Sequence, residues 1–572
     1  MAYWGVTHEY VQTPEGTVYN KLDKPDVFIN DIGDGGCKSD KFIRDIRLLK
    51  KGLEDEPNND RYTFYLANSY RDARQYENAI EAYKKRIEIG GWFDEVWHSY
   101  YSIGKCYKHL DDMASAIYWW MEGYNFYPKR IENIYEIIHY YRCKGNNQLA
   151  YGFYIMAENE RNKNPTSDYL FLQKDVYDYK IDYELSIIGY YCNYKNYDLE
   201  KISLKVLNYP HVDESIARNV LSNYKFYSTT LSKNVSNKLL DQNLEVLDRI
   251  GLSINEIQAA MPEFISSTPS MCINEQGELV INKRFVNYRI NGNGGYDNSG
   301  TIATINVIAV INISEDDEWV ISKEFIMDYN KNLDNLYVGL EDVRLFMMEL
   351  PDENMQLTSP ILNPPLIPNT VYFNANRGLG YHNISIEHGI INTVSKLTTS
   401  GFISMEGQRE VEKNWVLFQD ANNKMKIVYN WSPLVIGDIE EDKTAISTTN
   451  MNPMKFEKTH NIETPFFFKH LRGSTNGIYI PSHNEIWFIC HTVSYEDRRY
   501  YYHLFVVLDA TTYEVKKYTP FFTFEKEKVE YTLGFVYFEM TDEIMIGYSL
   551  MDCKTKYLMI DKSVIDNMLI TL

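Results

Sequence analysis

Positive charge is scarce in this chain: 58 Lys and Arg stand against 79 Asp and Glu, a formal net charge of −21. Nucleic-acid affinity rests on cations that neutralise phosphates, so nucleic acid is excluded as a general partner. The same deficit disfavours docking on an anionic membrane. Cysteine is sparse as well. The seven, at 37, 106, 143, 192, 272, 490 and 553, are odd in number and form no CxxC pair. This argues against a disulfide framework or a zinc site and fits a reducing compartment. No apolar run reaches 18 residues, and the opening Met1-Ala2-Tyr3-Trp4-Gly5 lacks the apolar stretch of a signal peptide. The expectation is a cytoplasmic protein that neither crosses nor coats a membrane. Neither a Walker nor an EF-hand spacing occurs, and the expectation is no metal and no resident cofactor.

Apolar and aromatic residues are plentiful, at 44% and 15% of 572 residues, enough for several cores. The 48 tyrosines favour surfaces that pack a ring and keep a hydroxyl wet. Near the start, Trp4 to Tyr10 reads as a short strand and Asp31 to Phe42 as a Gly- and Asp-rich loop. A helix is expected from about Ser39, with the Ser as cap and Asp40 at the positive end of the dipole.

From about residue 45 small and aromatic residues recur. Leu66-Ala67, Tyr70, Ala79 and Tyr83 return as Ile103-Gly104, Tyr107, Ala116 and Trp120, and again as Ile137-Ile138, Tyr141, Ala150 and Tyr154. The offsets are 37 and 34, the longer one carrying an insertion at Gly90-Gly91-Trp92. A period near 34 marks tetratricopeptide repeats, stacked helix pairs that present a docking surface. A protein partner is therefore expected on the array. The helical pattern continues, degenerate, to about 260.

After Met261-Pro262 short strands alternate with turns in five clusters, near 270–313, 335–390, 412–437, 465–518 and 528–562. That suits a five-bladed β-propeller. The fold class expected is multidomain: an N-terminal α-helical array of tetratricopeptide-like repeats, then an all-β five-bladed propeller. The boundaries expected are 1–44 for a junction, 45–262 for the array and 263–572 for the propeller. Within the second cluster, Gly339-Leu340-Glu341-Asp342-Val343-Arg344-Leu345-Phe346 sets charges in an apolar strand. A regular strand puts Asp342 and Arg344 on one face, and inward charges cost free energy unless paired or used. Arg284 and Arg289, Glu412 and Lys413, Arg472, and His491 and Glu496 recur at comparable positions, where a propeller axis would gather them.

Two resemblances follow from these motifs. Gly5-Val6-Thr7-His8-Glu9-Tyr10 and Gly35-Gly36-Cys37-Lys38-Ser39-Asp40-Lys41-Phe42 resemble the junction of family 2 glycosyltransferases that carry tetratricopeptide repeats in bacteria and giant viruses. The resemblance implies that residues 1–44 are the remnant of that junction, without the Asp-x-Asp domain that precedes it in the family. If the chain is viral, its place would be the host cytoplasm. Leu340-Glu341-Asp342-Val343-Arg344-Leu345 resembles the Glu-Asp-Pro-Arg motif of five-bladed glycoside hydrolase family 130, the β-mannoside phosphorylases and hydrolases, with Val343 in place of the usual Pro. A related transferase family makes β-1,2-mannan on the same fold. The resemblance implies a glycan-active propeller that cleaves, phosphorolyses or transfers a mannoside-like unit, with Asp342 as general acid. Arg289, Arg344, Arg377, Lys413, Arg472 and His491 are the candidate substrate or phosphate ligands, and Trp415 a candidate sugar platform beside Trp431 and Tyr500 to Tyr502. The partners implied are an oligosaccharide or glycoconjugate, with inorganic phosphate or a sugar phosphate as co-substrate. A hydrolase would need a second carboxylate, for which Glu412, Glu496 and Glu530 are candidates. The alternative is a non-catalytic glycan- or protein-binding scaffold that works with a separate transferase.

Overall fold

In a computed structural model, the residues described are 2–7, 10–12, 14, 16–18, 41–163, 170–192, 197–234, 264–291, 295–297, 300–313, 319–348, 370–379, 383–441, 454–495 and 499–572. His8, Glu9, the Gly- and Asp-rich loop through Asp40, and Glu496 lie outside them. The chain divides into two compact units, Met1–Tyr197 and Asp198–Leu572.

The first unit is helical. After a small hairpin of Ala2–Trp4 and Tyr10–Gln12 come α1 (Lys41–Asp55), α2 (Asp60–Asp72), α3 (Tyr76–Ile89), α4 (Phe93–His109), α5 (Met113–Phe126), α6 (Glu132–Cys143), α7 (Asn147–Lys163) and α8 (Ile181–Cys192). The sequence repeat is a repeat of structure. Ala79, Ala116 and Ala150 are fully buried, and so, to within 1%, are Tyr83, Trp120 and Tyr154. Each pair turns on a left-handed residue, Arg74, Asp111 and Gly145, at φ 59°, 60° and 76°. Across each turn the next amide donates back to the carbonyl of the repeated tyrosine: Gln75 to Tyr70, Asp112 to Tyr107, Asn146 to Tyr141. These turns follow the same 37 and 34 offsets. The unit is a tetratricopeptide-type array.

Gly104 is small for a reason. A Cβ there would overlap the Trp120 indole, whose Nε1 donates to the Tyr101 carbonyl at 3.1 Å. Gly104→Ala is therefore expected to cost about 1–3 kcal/mol through overpacking, read as a lower denaturant midpoint for the helical signal. An unchanged midpoint would mean that α4 and α5 separate freely.

The second unit opens with α9 (Leu199–Leu207) and α10 (Glu214–Tyr224), then becomes β-rich. The helical pattern of the sequence continues to about 260, and of these residues 198 onward fall in the second compact unit. Their attachment is local and specific. Tyr502 Oη donates to the Leu221 carbonyl at 2.9 Å, Phe466 N to Asn208 Oδ1 at 2.6 Å, and Thr229-Thr230 pairs in parallel with Phe522-Thr523.

Among the described residues the strands form five successive antiparallel meanders. They span 270–326, 341–404, 416–462, 472–518 and 530–561. The outer strands Trp319–Ile326, Leu397–Ser404 and Met454–Ile462 lie beyond the limits that turn signals alone suggested. Hydrogen bonding does not divide them into five separate sheets, because Ile403 pairs with Met454 and joins the second and third edge to edge. The first strands gather at one centre. Ser270–Ile273 lies beside Glu341–Phe346 and Glu530–Phe538, and Val416–Gln419 beside Ile478–Ile480. Asn476 links three of them: its Oδ1 accepts from Leu417 N, and its Nδ2 donates to the carbonyls of Arg344 and Leu345.

Candidate functional site

The charged residues converge where these first strands begin. Gly339 has φ 93°, and a Cβ there would run into the Thr304 carbonyl, so only glycine fits. Two residues later the strand bulges between Glu341 and Arg344, with Asp342 at φ 52°. A non-glycine residue in that region is strained and must be held by its surroundings. It is. Asp342 Oδ1 accepts from Arg284 Nη1 at 2.8 Å, and Oδ2 accepts from Asn376 Nδ2 at 3.0 Å. Regular alternation would have paired Asp342 with Arg344; the bulge breaks that alternation, and Arg344 reaches only the Asp342 carbonyl, at 3.0 Å. Arg344 is fully buried and also donates to the Ser474 carbonyl at 2.6 Å, Asn414 Oδ1 at 3.3 Å and Tyr531 Oη at 3.2 Å.

Around this knot lie two further carboxyls, both still reached by solvent. Burial pushes the Glu341 carboxyl up; Arg284 and Lys413 draw it down, and Asp342 and Asp552 add to the rise. Asp552 is raised in the same way, first by burial, with Asp342 adding to it and Arg284 opposing. Packed round yet accessible, these acids occupy a recess, where a carboxyl keeps its proton to higher pH. Tyr288 Oη donates to Asp552 Oδ2 at 3.4 Å, and the half-exposed Tyr296 covers Tyr288 with ring centroids 4.3 Å apart. Tyr501 and Tyr531 flank His491 on another side, at 5.8 and 5.1 Å.

The sequence candidates divide. Asp342 and Arg344 stand at the centre, and Lys413 is exposed but close enough for its charge to act on Glu341. Arg289 and Arg472 are exposed, near Cys553 and His491 respectively. His491 is near the recess, with Nδ1 2.8 Å from Ser474 Oγ, but burial holds it well below the usual imidazole range. It is neutral and does not serve as a cationic anion ligand. Arg377 points elsewhere: its Nη2 donates to the Asn330 carbonyl and Asp334, each at 2.8 Å. Trp415 is a core residue, 1% exposed, packed on Tyr429 and Phe456, so no sugar reaches its face. Trp431, at 3%, packs on Phe488 in the same manner. Glu412 accepts from Arg409 N and Trp415 Nε1, and Glu530 from three backbone amides; both are structural acceptors. Asn376, Asn414, Tyr288, Tyr531 and Asp552 escaped sequence reasoning. Nothing local marks them, since they enter the site from four different meanders.

A cavity of about 790 Å³ lies at the opposite ends of the first strands, lined by Met347, Met348, Ile478, Tyr479, Phe535 and Tyr537 among others. It does not include the charged recess. Chemistry favours the recess, where carboxyls of shifted affinity meet arginines and exposed rings. Among the described residues no group of three or more His, Cys, Asp or Glu is placed to hold a metal ion. No helix among them is long and apolar enough to cross a membrane.

No protein-family model matches this chain, and no curated protein matches it. Solved structures similar to parts of it include MamA, at 20% identity over 31% of this chain and 94% of that one, with a TM-score of 0.24. YrrB, described as a TPR protein with an unusual peptide-binding site, is 12% identical over 32% and 83%, with a TM-score of 0.23. A GDP-Man-dependent mannosyltransferase from Leishmania mexicana is 10% identical over 53% and 86%, with a TM-score of 0.32.

Proposed function

We propose that the second unit is a five-bladed propeller acting on a glycan, and that the array recruits the acceptor or a partner protein. The observation that carries this reading is the recess, where Arg284, Glu341, Asp342, Arg344, Asn376, Asn414, Tyr531 and Asp552 meet although they span almost 270 residues. Carboxyls, guanidinium groups and amides beside an accessible tyrosine ring suit a sugar, whose hydroxyls take hydrogen bonds and whose faces stack.

Within that reading the roles redistribute. Asp342, with a donor on each oxygen, anchors Arg284 and Asn376. Glu341 and Asp552 supply the protonatable carboxyls that glycosyl cleavage or transfer requires, one to protonate the departing oxygen and one to activate or orient the acceptor. Phosphate, if it is the acceptor, would meet Lys413 and Arg472 at the rim. The engaged state of Asp342 also suits the alternative, a scaffold that binds glycan without turning it over.

The test is turnover of β-linked manno- and gluco-oligosaccharides, with and without phosphate, together with a nucleotide-sugar donor assay. Glu341→Gln is expected to lower kcat about 10²- to 10⁴-fold while leaving glycan binding within a few-fold. Loss of turnover in Asp342→Asn but not in Glu341→Gln would return the acid role to Asp342. Binding without turnover in the wild type would favour the scaffold.

A further inference from the structure

The helical unit contains a segment of its own chain held as a peptide ligand would be. The first helices of the three repeats, α2, α4 and α6, share the face around which a stack of helix pairs curves. Residues 170–173 lie on residues of these helices. Arg130, fully buried just before α6, donates from Nη1 to the Leu170 carbonyl at 3.0 Å and from Nη2 to the Phe171 carbonyl at 3.2 Å. Its guanidinium is fixed from behind by the Trp97 ring at 3.7 Å and by Glu132 at 2.8 Å. Glu132 in turn accepts from Gln173 N at 3.3 Å. The Phe171 ring packs on the touching pair His98 and Phe64, 4.3 Å from the first and 5.7 Å from the second. Burial keeps His98 neutral, at about 3, so this ring pair carries no charge.

Two carbonyls and an amide are thus read without regard to side chain, and one aromatic residue is read by shape. Main-chain hydrogen bonds supplying affinity and a side-chain contact supplying specificity is the division of labour of peptide recognition. The segment is also poorly committed to its place. Leu170 and Phe171 remain 36% and 39% exposed, and Phe171 has φ 61°, a strained conformation for an aromatic residue. A core element buries its rings and relaxes its backbone.

We propose that residues 170–173 are an internal occupant of a peptide site on the array, and that the external partner presents a short run with one aromatic residue at a turn and displaces it. This rests on the array being a docking surface, not on glycan turnover. A tethered occupant competes at an effective concentration on the order of millimolar, so the site reads as weak until the occupant is removed.

The experiment uses the full chain and a fluorescein-labelled peptide of residues 168–175, followed by anisotropy. Phe171→Ala is expected to bind the peptide at least tenfold more tightly than wild type, and the peptide with alanine at its Phe position is expected not to bind. Phe171→Gly, which relieves the positive φ while deleting the ring, serves as the second variant should Phe171→Ala lose its helical signal. Equal affinity for wild type and variants would place the peptide elsewhere and overturn the proposal. No binding to a folded variant would overturn it equally. Turnover is not measured, so failure here is distinct from failure of the glycan reading.

Discussion

Arg344→Ala is expected to destabilise the β-rich unit by about 4 kcal/mol, read as a fall in the denaturant midpoint of its unfolding transition. The guanidinium is completely buried and reaches into strands from four meanders at once: its own, the third through Asn414, the fourth through the Ser474 carbonyl and the fifth through Tyr531. Truncation leaves those acceptors unpaired in a space that water fills poorly, and the penalty of an unmade buried bond exceeds the worth of a made one. Arg344→Lys is expected to recover little, since a single ammonium cannot reproduce a planar fork. A loss under about 1 kcal/mol would show that the first strands hold together by apolar packing alone.

The second large effect concerns pH. Glu530 is fully buried and accepts from Phe524 N at 2.5 Å and from Glu525 N and Glu527 N at 2.7 Å each. Burial raises its carboxyl to about 7 and the three amides oppose that rise. Because the folded affinity for the proton exceeds the unfolded one, the folded state holds the extra proton between about 4.5 and about 7. The stability this group contributes is full below that window and is lost as pH rises through about 7. The stability of wild type minus that of Glu530→Gln should therefore fall by about 3 kcal/mol from pH 4.5 to pH 8. The difference is needed because His388 and His503, lowered by burial to about 4 and about 3, pull the wild-type curve the other way as pH drops below about 6.5. A difference that grows with rising pH would mean that the three amides outweigh burial.

The repeats were legible because their logic is local. A tyrosine, a turn and an alanine recur at fixed spacing, and the turn residues Arg74, Asp111 and Gly145 keep that spacing in space. The octapeptide at 339–346 was legible as unusual, but its partner was not. Alternation assigned Asp342 to Arg344, whereas a bulge gave it to Arg284, 58 residues away in the chain. No periodicity carries such a contact. Trp415 and Trp431 illustrate the reverse error: an aromatic beside charged residues looks like a sugar platform, and both are packed inside sheets. The helices at 199–224 read as more array because an amphipathic pattern records that a face is buried, not what buries it. Their partners, Phe466, Tyr502 and the Phe522-Thr523 strand, come more than 240 residues later.

The meeting of the first meander with the fifth sets an order of events during synthesis. Ser270–Ile273 lies against Glu530–Phe538, and Thr555 Oγ1 donates to the Ser267 carbonyl at 2.5 Å. The array, built from neighbours in sequence, is complete long before those residues exist. The first meander, by contrast, waits for almost 300 residues with its apolar flank open. At typical elongation rates that wait is on the order of 15–60 s. Over that interval Met271, Ile281 and Ile311, later covered by Val536, Met545 and Met559, are open to any chaperone or neighbouring nascent chain. Slow translation or a truncated C-terminus should therefore appear first as aggregation of the β-rich unit, with the helical array intact.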